Sequence, residues 1–354
     1  MSWEKYVRKV EPYVPGEQPK SRGIIKLNTN ECPYPPSKKV KREMRKLDYK
    51  KLSLYPDPQA QELVDVLADY YDVKKEQVFV GVGSDDVLAM AFLTFFNSKK
   101  PILFPDITYS FYDVWAELYR IPYEKIPLNN KFEICIEDYD RDNGGIVIAN
   151  PNAPTGLAMG TGEIEKLLKA NKDTIVIVDE AYVDFGAESC ISLVDKYDNL
   201  LVVQTFSKSR AMAGMRIGFA IGSKKLIRYM LDAKFSFNSY TMNYPSLKLG
   251  VASVKDDKYF KATVQKVINT REWTKIQLKE LGFVFPDSNT NFIFAKHSEI
   301  PAKELFEMLK KKKIYVRYFN KPRIDNFLRI SIGTDEQMQK LVECLREYVE
   351  KNKA

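Results

Sequence analysis

Between residues 78 and 222, short apolar runs alternate with stretches of helical spacing, and nothing else in the chain narrows its fold as much. The runs lie at 78–80, 102–104, 146–149, 175–178 and 200–203, and most of their residues are Val or Ile. Each is continuously apolar, so a strand built from it must be covered on both faces. The stretches at 87–96, 109–118 and 162–170 have the spacing of the helices that would cover it. Strands alternating with helices predict an α/β fold with a large, mostly parallel sheet.

The flanking segments differ. Residues 1–36 form an arm rich in Pro, Tyr and Asn, which resists regular structure but is too aromatic for a disordered tail. It is expected to lie along another surface. Ser37 should cap a basic helix reaching about residue 47, and Tyr55-Pro56-Asp57-Pro58 breaks the chain before a second helix at 59–71. From 242 onward the spacing predicts helices at 242–254 and 259–281. Short strands follow at 283–285, 291–295, 314–317 and 328–332, and a closing helix at 335–351. This gives three divisions. Residues 1–44 are the arm and part of a small domain, 45–245 the large domain, and 246–354 the smaller α+β domain.

Charge and composition exclude several functions. The net charge of +8 is spread along the chain, and no aromatic-interleaved basic stripe supports nucleic-acid binding. The longest apolar stretch, 87–96, is far short of the ~20 residues of a membrane span. The N-terminal MSWEKYVRKV is charged and has no apolar segment of the kind that directs secretion. Cys32, Cys135, Cys190 and Cys344 are far apart and form no CxxC pair, so they read as reduced core thiols in a cytoplasmic protein. A single histidine, His297, rules out HExxH zinc sites and argues against a Ser-His-Asp triad. No metal is expected. His297 itself, in AKHSEIPA, reads as a surface loop residue. Proton chemistry must therefore fall to Lys, Tyr, Asp or Glu.

Four features sit just beyond apolar runs, where ligands bind in open α/β sheets. Gly83-Ser84-Asp85 opens a helix, and free N–H groups at a helix N-terminus suit a phosphate, although Ser84 could equally be an ordinary cap. Asp179 ends the run 175–178, where a carboxylate needs a cationic partner, and Tyr182 follows three residues later. Lys208 follows the run 200–203, and Arg216 lies eight residues further on. Two cations in a solvent-facing loop is the plain alternative for that pair. Burial turns a lysine into a nucleophile able to form a Schiff base. With an Asp for a pyridinium nitrogen and a phosphate cradle, the set points to pyridoxal phosphate.

These residues lie within longer motifs. Asn150-Pro151-Asn152-Ala153-Pro154-Thr155-Gly156, Asp179-Glu180-Ala181-Tyr182, Ser207-Lys208 with Arg216, and Leu328-Arg329-Ile330-Ser331-Ile332-Gly333 resemble fold-type-I pyridoxal-phosphate-dependent aminotransferases in order and spacing. More narrowly, Tyr13-Val14-Pro15-Gly16, Asn28-Thr29-Asn30-Glu31, Tyr55-Pro56-Asp57 and VRYFNKPRIDNFLRISIGT are similar to the histidinol-phosphate aminotransferase family. The resemblance implies that Lys208 is the Schiff-base lysine, Asp179 the partner of the pyridine nitrogen, and Tyr182 the contact of the cofactor's 3′ oxygen. It places Ser84, Asp85, Ser207 and Arg216 around the phosphate and Tyr109 on the ring. Tyr55 would reach the neighbouring subunit's cofactor in a homodimer. Tyr13, Asn30, Arg317 and Arg329 would bind small-molecule substrates, namely glutamate or 2-oxoglutarate and a phosphorylated amino alcohol. Two departures stand out. The family often has Asn where this chain has Ala153, so Asn152 is carried as the candidate cofactor contact. The segment Asn30-Glu31-Cys32-Pro33-Tyr34 also differs, near the substrate entrance. The same fold would also serve a threonine-phosphate-like decarboxylase or an aromatic amino-acid aminotransferase. A regulatory module without turnover would need an appended DNA-binding domain, for which the arm is too short and too rich in proline.

Overall fold

Two sheets organise the computed structural model, which describes residues 3–20 and 22–353. In chain order the strands are β1 (Ile25–Leu27), β2 (Val78–Gly81), β3 (Ile102–Pro105), β4 (Tyr123–Ile126), β5 (Gly145–Ala149) and β6 (Val176–Asp179). They continue as β7 (Leu200–Thr205), β8 (Gly218–Gly222), β9 (Phe283–Val284), β10 (Phe292–His297), β11 (Ile314–Tyr318) and β12 (Leu328–Ser331). The larger sheet has the order β2-β8-β7-β6-β5-β3-β4. Its strands pair in parallel from β4 through to β7, and β8 alone is reversed against β7 and β2.

Successive side chains of a strand point to opposite faces, and here each face has its own helices. Val147, Ile177 and Val203 pack with Leu88 and Phe92 of helix Gly83–Phe95, Trp115 of Tyr112–Tyr119 and Met230 of Lys224–Phe237. Ile146, Ile148, Val176 and Val202 pack on the other face. Their partners are Leu63 and Leu67 of Gln61–Tyr71, Ile164 and Leu167 of Thr161–Ala170, and Leu249 of Tyr244–Val254. All residues of β5, β6 and β7 are buried, as their unbroken apolar runs require.

The smaller sheet has the order β1-β11-β12-β10-β9. Its first strand comes from the arm: Ile25 pairs with Ile314 and Leu27 with Val316, in parallel. The expectation of an arm without regular structure therefore fails at Ile25–Leu27, a three-residue strand too short to show a period. Before it, Tyr13 stacks on Phe111 with ring centroids 4.3 Å apart, so the arm does lie along the larger unit. The predicted helix at 242–254 was assigned largely to the smaller domain by the division at 245. Its Leu247, Leu249, Val251 and Val254 instead share the core of the larger sheet. The smaller sheet's own core begins with Val264 and Val267 in helix Asp257–Glu280.

Four further differences are local. Strand β4 and helix Lys224–Phe237 were not predicted. The first is an edge strand whose Glu124 and Lys125 are exposed, so it carries no apolar signal. The helix expected from residue 109 starts at Tyr112, which leaves Tyr109 in the preceding loop. His297 is not a surface residue. It ends β10 at 2% exposure, with Nε2 2.8 Å from the Leu281 carbonyl oxygen and Nδ1 accepting from the amides of Glu299 and Ile300. A histidine whose ring nitrogens both find main-chain partners can be buried without penalty.

Candidate active site

The parallel strands of the larger sheet end along one edge, and each hands over to a candidate residue. After β2 comes Gly83, after β3 Tyr109, after β5 Ala153, after β6 Tyr182 and after β7 Lys208. The reversed strand β8 starts at this same edge, which brings Arg216 there from the other direction. Register fixes the alignment: Asp179 lies opposite Ala149 and Val203, and Gly218 opposite both Thr205 and Gly81. The result is a cavity of about 200 Å3 whose lining includes Ser84, Asp85, Tyr109, Tyr182, Lys208 and Arg216. Asp179 and Ser207 line it too.

Asp179 is 5% exposed and has no cation within ion-pair distance among the described residues. Its Oδ2 accepts from the Tyr112 hydroxyl at 2.8 Å and its Oδ1 from the Ala181 amide at 3.1 Å. Burial nevertheless outweighs those bonds and pushes its pKa up to about 6. Tyr112 was missed because a buried tyrosine in a helix reads as core. Its position three residues after Tyr109 was the available clue, since residues so spaced on one side of the chain can serve one site.

The opposite end of the cavity suits an anion. Helix Gly83–Phe95 begins there, and its first amides have no intrahelical acceptor. Gly83 has φ +84°, and a Cβ on it would collide with the Arg216 guanidinium. A Cβ on Gly218 would strike the Gly83–Ser84 backbone. Small residues thus let the guanidinium and two backbones converge. Arg216 pairs with the Asp85 carboxylate at 3.1 Å and reaches the Ser207 hydroxyl at 3.4 Å. Asp85 also accepts from the Tyr109 hydroxyl at 2.8 Å. Its carboxylate would repel a phosphate, so what Asp85 can offer an anion is its amide.

Lys208 is half-buried, not sealed in a core, and its Nζ donates to the Thr29 carbonyl at 3.1 Å. That Nζ lies 5.7 Å from the centre of the Tyr182 ring. Ala153 lines the cavity, but Asn152 does not. The Asn152 amide donates to the Ile107 carbonyl at 2.9 Å and accepts from the Thr108 hydroxyl at 2.7 Å. Asn152 is therefore withdrawn as a cofactor contact: its side chain ties down the loop before Tyr109. Asn30 is also corrected. It is 1% exposed, and its amide is spent on Tyr182 and Ser331, so it has no free group for a substrate.

Arg317 and Arg329 face each other across β11 and β12 as directly paired residues. Like charges so placed repel, and neither has a carboxylate within ion-pair distance among the described residues. Arg329 lies over the rings of Phe292 and Phe319 and donates to the Asn28 carbonyl at 3.0 Å, while its Nε is buried without a partner. Burial lowers its pKa, with Arg317 adding to the effect. An outer cavity of about 560 Å3 joins Arg317 to Tyr13, Thr108, Pro154 and Phe319. Tyr55 is not brought to either cavity. It is 82% exposed, and its ring lies against Tyr240 with centroids 4.6 Å apart.

These donors fit pyridoxal phosphate on their own chemistry. A buried carboxylate lacks a cation, a glycine-lined helix start and an arginine suit an anion, and the Lys208 amine belongs to the same cavity lining. Comparison with known proteins agrees. Residues 22–345 match the model of the class I and II aminotransferases. A histidinol-phosphate aminotransferase of Lactococcus lactis subsp. lactis is 51% identical over 352 residues, covering 99% of this chain and 98% of that protein. One from Brachyspira hyodysenteriae is 52% identical over 346 residues, covering 98% of each. Among solved structures, the histidinol-phosphate aminotransferase of Sinorhizobium meliloti, in complex with pyridoxal 5′-phosphate, superposes with a TM-score of 0.85. It is 21% identical, with 93% of this chain and 92% of that one covered.

Proposed function

We propose the reaction from one premise: the chain belongs to the class I and II aminotransferase family, and within it to the histidinol-phosphate aminotransferases. The reading is a pyridoxal-phosphate-dependent transfer of an amino group between histidinol phosphate and 2-oxoglutarate, as a step of histidine biosynthesis. The cofactor supplies an electrophilic aldehyde and a ring that draws electrons from the reacting carbon. Lys208 would hold that aldehyde through its Nζ, and its amine would carry the proton at the reacting carbon. Asp179 would keep the ring nitrogen protonated, and Tyr182 would donate to the 3′ oxygen. Ser84, Ser207, Arg216 and the Asp85 amide would hold the phosphate, and Tyr109 would lie against the ring.

The observation that carries the substrate assignment is the facing pair Arg317 and Arg329, which no carboxylate of the described chain neutralises. Arginine forks bind carboxylate and phosphate alike, so one such pair can serve two donors whose anions differ. Arg329 is assigned to glutamate's α-carboxylate and, with Arg317, to the phosphate of the other donor. Tyr13 closes the outer cavity. A charge-assisted hydrogen bond contributes roughly 1.5–3 kcal/mol, about ten- to a hundredfold in binding. Arg329→Ala should therefore weaken both half-reactions by that factor, whereas Arg317→Ala should harm the phosphorylated donor more than glutamate. Steady-state assays of each variant with each donor check this. Carbon dioxide from threonine phosphate, with poor use of 2-oxoglutarate, would favour the decarboxylase reading instead.

A homodimer with shared sites belongs to the same proposal. Tyr55 is accompanied by exposed Tyr49, Leu52, Leu54, Phe237 and Tyr240, an apolar surface that suits a second copy. If Tyr55 serves the neighbour, Tyr55→Phe and Lys208→Ala proteins, each impaired alone, should form mixed dimers with one repaired site. Activity should reappear on subunit exchange, and its absence despite proven exchange would confine Tyr55 to its own chain. The free state of the four cysteines supports a reducing, cytoplasmic setting. No described helix is long and apolar enough to cross a membrane.

A further inference from the structure

Asn30 sits in a closed set of hydrogen bonds with Ser331 and Tyr182. Its backbone N–H donates to the Ser331 hydroxyl oxygen at 2.9 Å. The Ser331 hydroxyl in turn donates to Asn30 Oδ1 at 2.8 Å. In this orientation Oδ1 takes the serine proton, which an NH2 group could not accept. Nδ2 is then the atom 2.9 Å from the Tyr182 hydroxyl, and it can only donate. The Tyr182 oxygen accepts there, so its own proton is left to point elsewhere. Tyr182 lines the central cavity, and that is where the free proton can be used.

The framework holding this set is rigid. Asn30 and Ser331 are buried, and the Asn30 carbonyl accepts from the buried Asn291 amide at 2.9 Å. Asn30 itself has φ +57°, a left-handed conformation that Asn, Asp and Gly tolerate and most residues do not. Both the residue type and the backbone conformation therefore serve the same orientation. Ala153 lines the same cavity and offers no side-chain donor.

We propose that Asn30 is a positioning residue, held by Ser331, that keeps the Tyr182 hydroxyl turned as a donor into the cavity. It touches neither substrate nor cofactor. The assignment rests on Tyr182 serving the cofactor's 3′ oxygen, which with Ala153 in place has Tyr182 as its side-chain donor.

Asn30→Asp tests this with little change of shape. A carboxylate accepts from the tyrosine and reverses the bond, turning its proton away from the cavity. Asn30→Gly removes the amide and keeps the backbone conformation open. The readout is the pH midpoint at which the visible absorption of cofactor-loaded protein changes, a property of the Lys208-linked ring and not of turnover. Losing one donor to an anionic oxygen should raise that midpoint by about one to two pH units in Asn30→Asp. Asn30→Gly should raise it less, because Tyr182 is then free to turn either way. Tyr182→Phe should raise it too, and adding Asn30→Asp to Tyr182→Phe should change it no further. Additive shifts in the double variant, or an unmoved midpoint in Asn30→Asp, would overturn the proposal. A loaded wild type without a titrating visible band, or one that Lys208→Ala retains, would instead remove the cofactor assignment beneath it.

Discussion

Lys208→Ala protein is expected to fold, to bind cofactor without the covalent link, and to lose transamination by roughly 10²–10⁴-fold from proton transfer alone. Loss of the nucleophile adds to that. Folding should survive because the Nζ of half-buried Lys208 makes one hydrogen bond, to the Thr29 carbonyl. Nothing in either core depends on this side chain. Chromatography under native conditions, a visible spectrum and an assay with histidinol phosphate and 2-oxoglutarate check the three parts separately. Turnover near the wild-type rate would remove Lys208 from the chemistry.

Asp179→Asn should have two opposite effects, separable by pH. With the cofactor present it should nearly abolish activity, because a neutral amide does not hold a ring nitrogen protonated. Without the cofactor it should stabilise the fold. Burial raises the Asp179 pKa from 3.8 to about 6, so the folded protein holds this proton more tightly than the unfolded chain does. As pH rises from about 4 to about 6, the unfolded chain releases its proton first and the folded state loses ground. Above that window the cost is complete, and two pKa units correspond to about 3 kcal/mol. The amide oxygen can still accept from Tyr112 or Ala181, so the substitution leaves no large hole. Melting of the cofactor-free proteins should therefore show a gain for Asp179→Asn at pH 8 that vanishes near pH 4. Glu180, buried beside it and raised to about 7, is present in both proteins and cancels from the comparison. An equal gain at both pH values would mean that the carboxylate is not the source.

Much of this was legible because polar residues at the ends of continuous apolar runs are conspicuous. Asp179 after Val176–Val178 and Lys208 after Leu200–Val203 mark the edge of a parallel sheet before any coordinate is known. The residues that escaped have side chains whose chemistry depends on direction. Tyr112 looks like core until its hydroxyl is found on Asp179. Asn152 and Ala153 are neighbours in one turn, and chain order does not say which of them faces the cavity. His297 looks solvated until Leu281, Glu299 and Ile300 supply its partners. Strand β1 has three residues and strand β4 is half charged, so neither can display a period. Tyr55 differs again: a residue that serves a second copy has no visible purpose in one chain.

One spectrum tests the amino transfer most directly. Cofactor-loaded wild-type protein is mixed with histidinol phosphate, its visible absorbance is followed, and 2-oxoglutarate is then added. The first addition should remove the visible band as the amino group passes to the cofactor. The second should restore the band and yield glutamate in equal amount. A band unchanged by histidinol phosphate, while glutamate alone bleaches it, would contradict the substrate assignment. A band that neither compound changes would contradict aminotransfer itself.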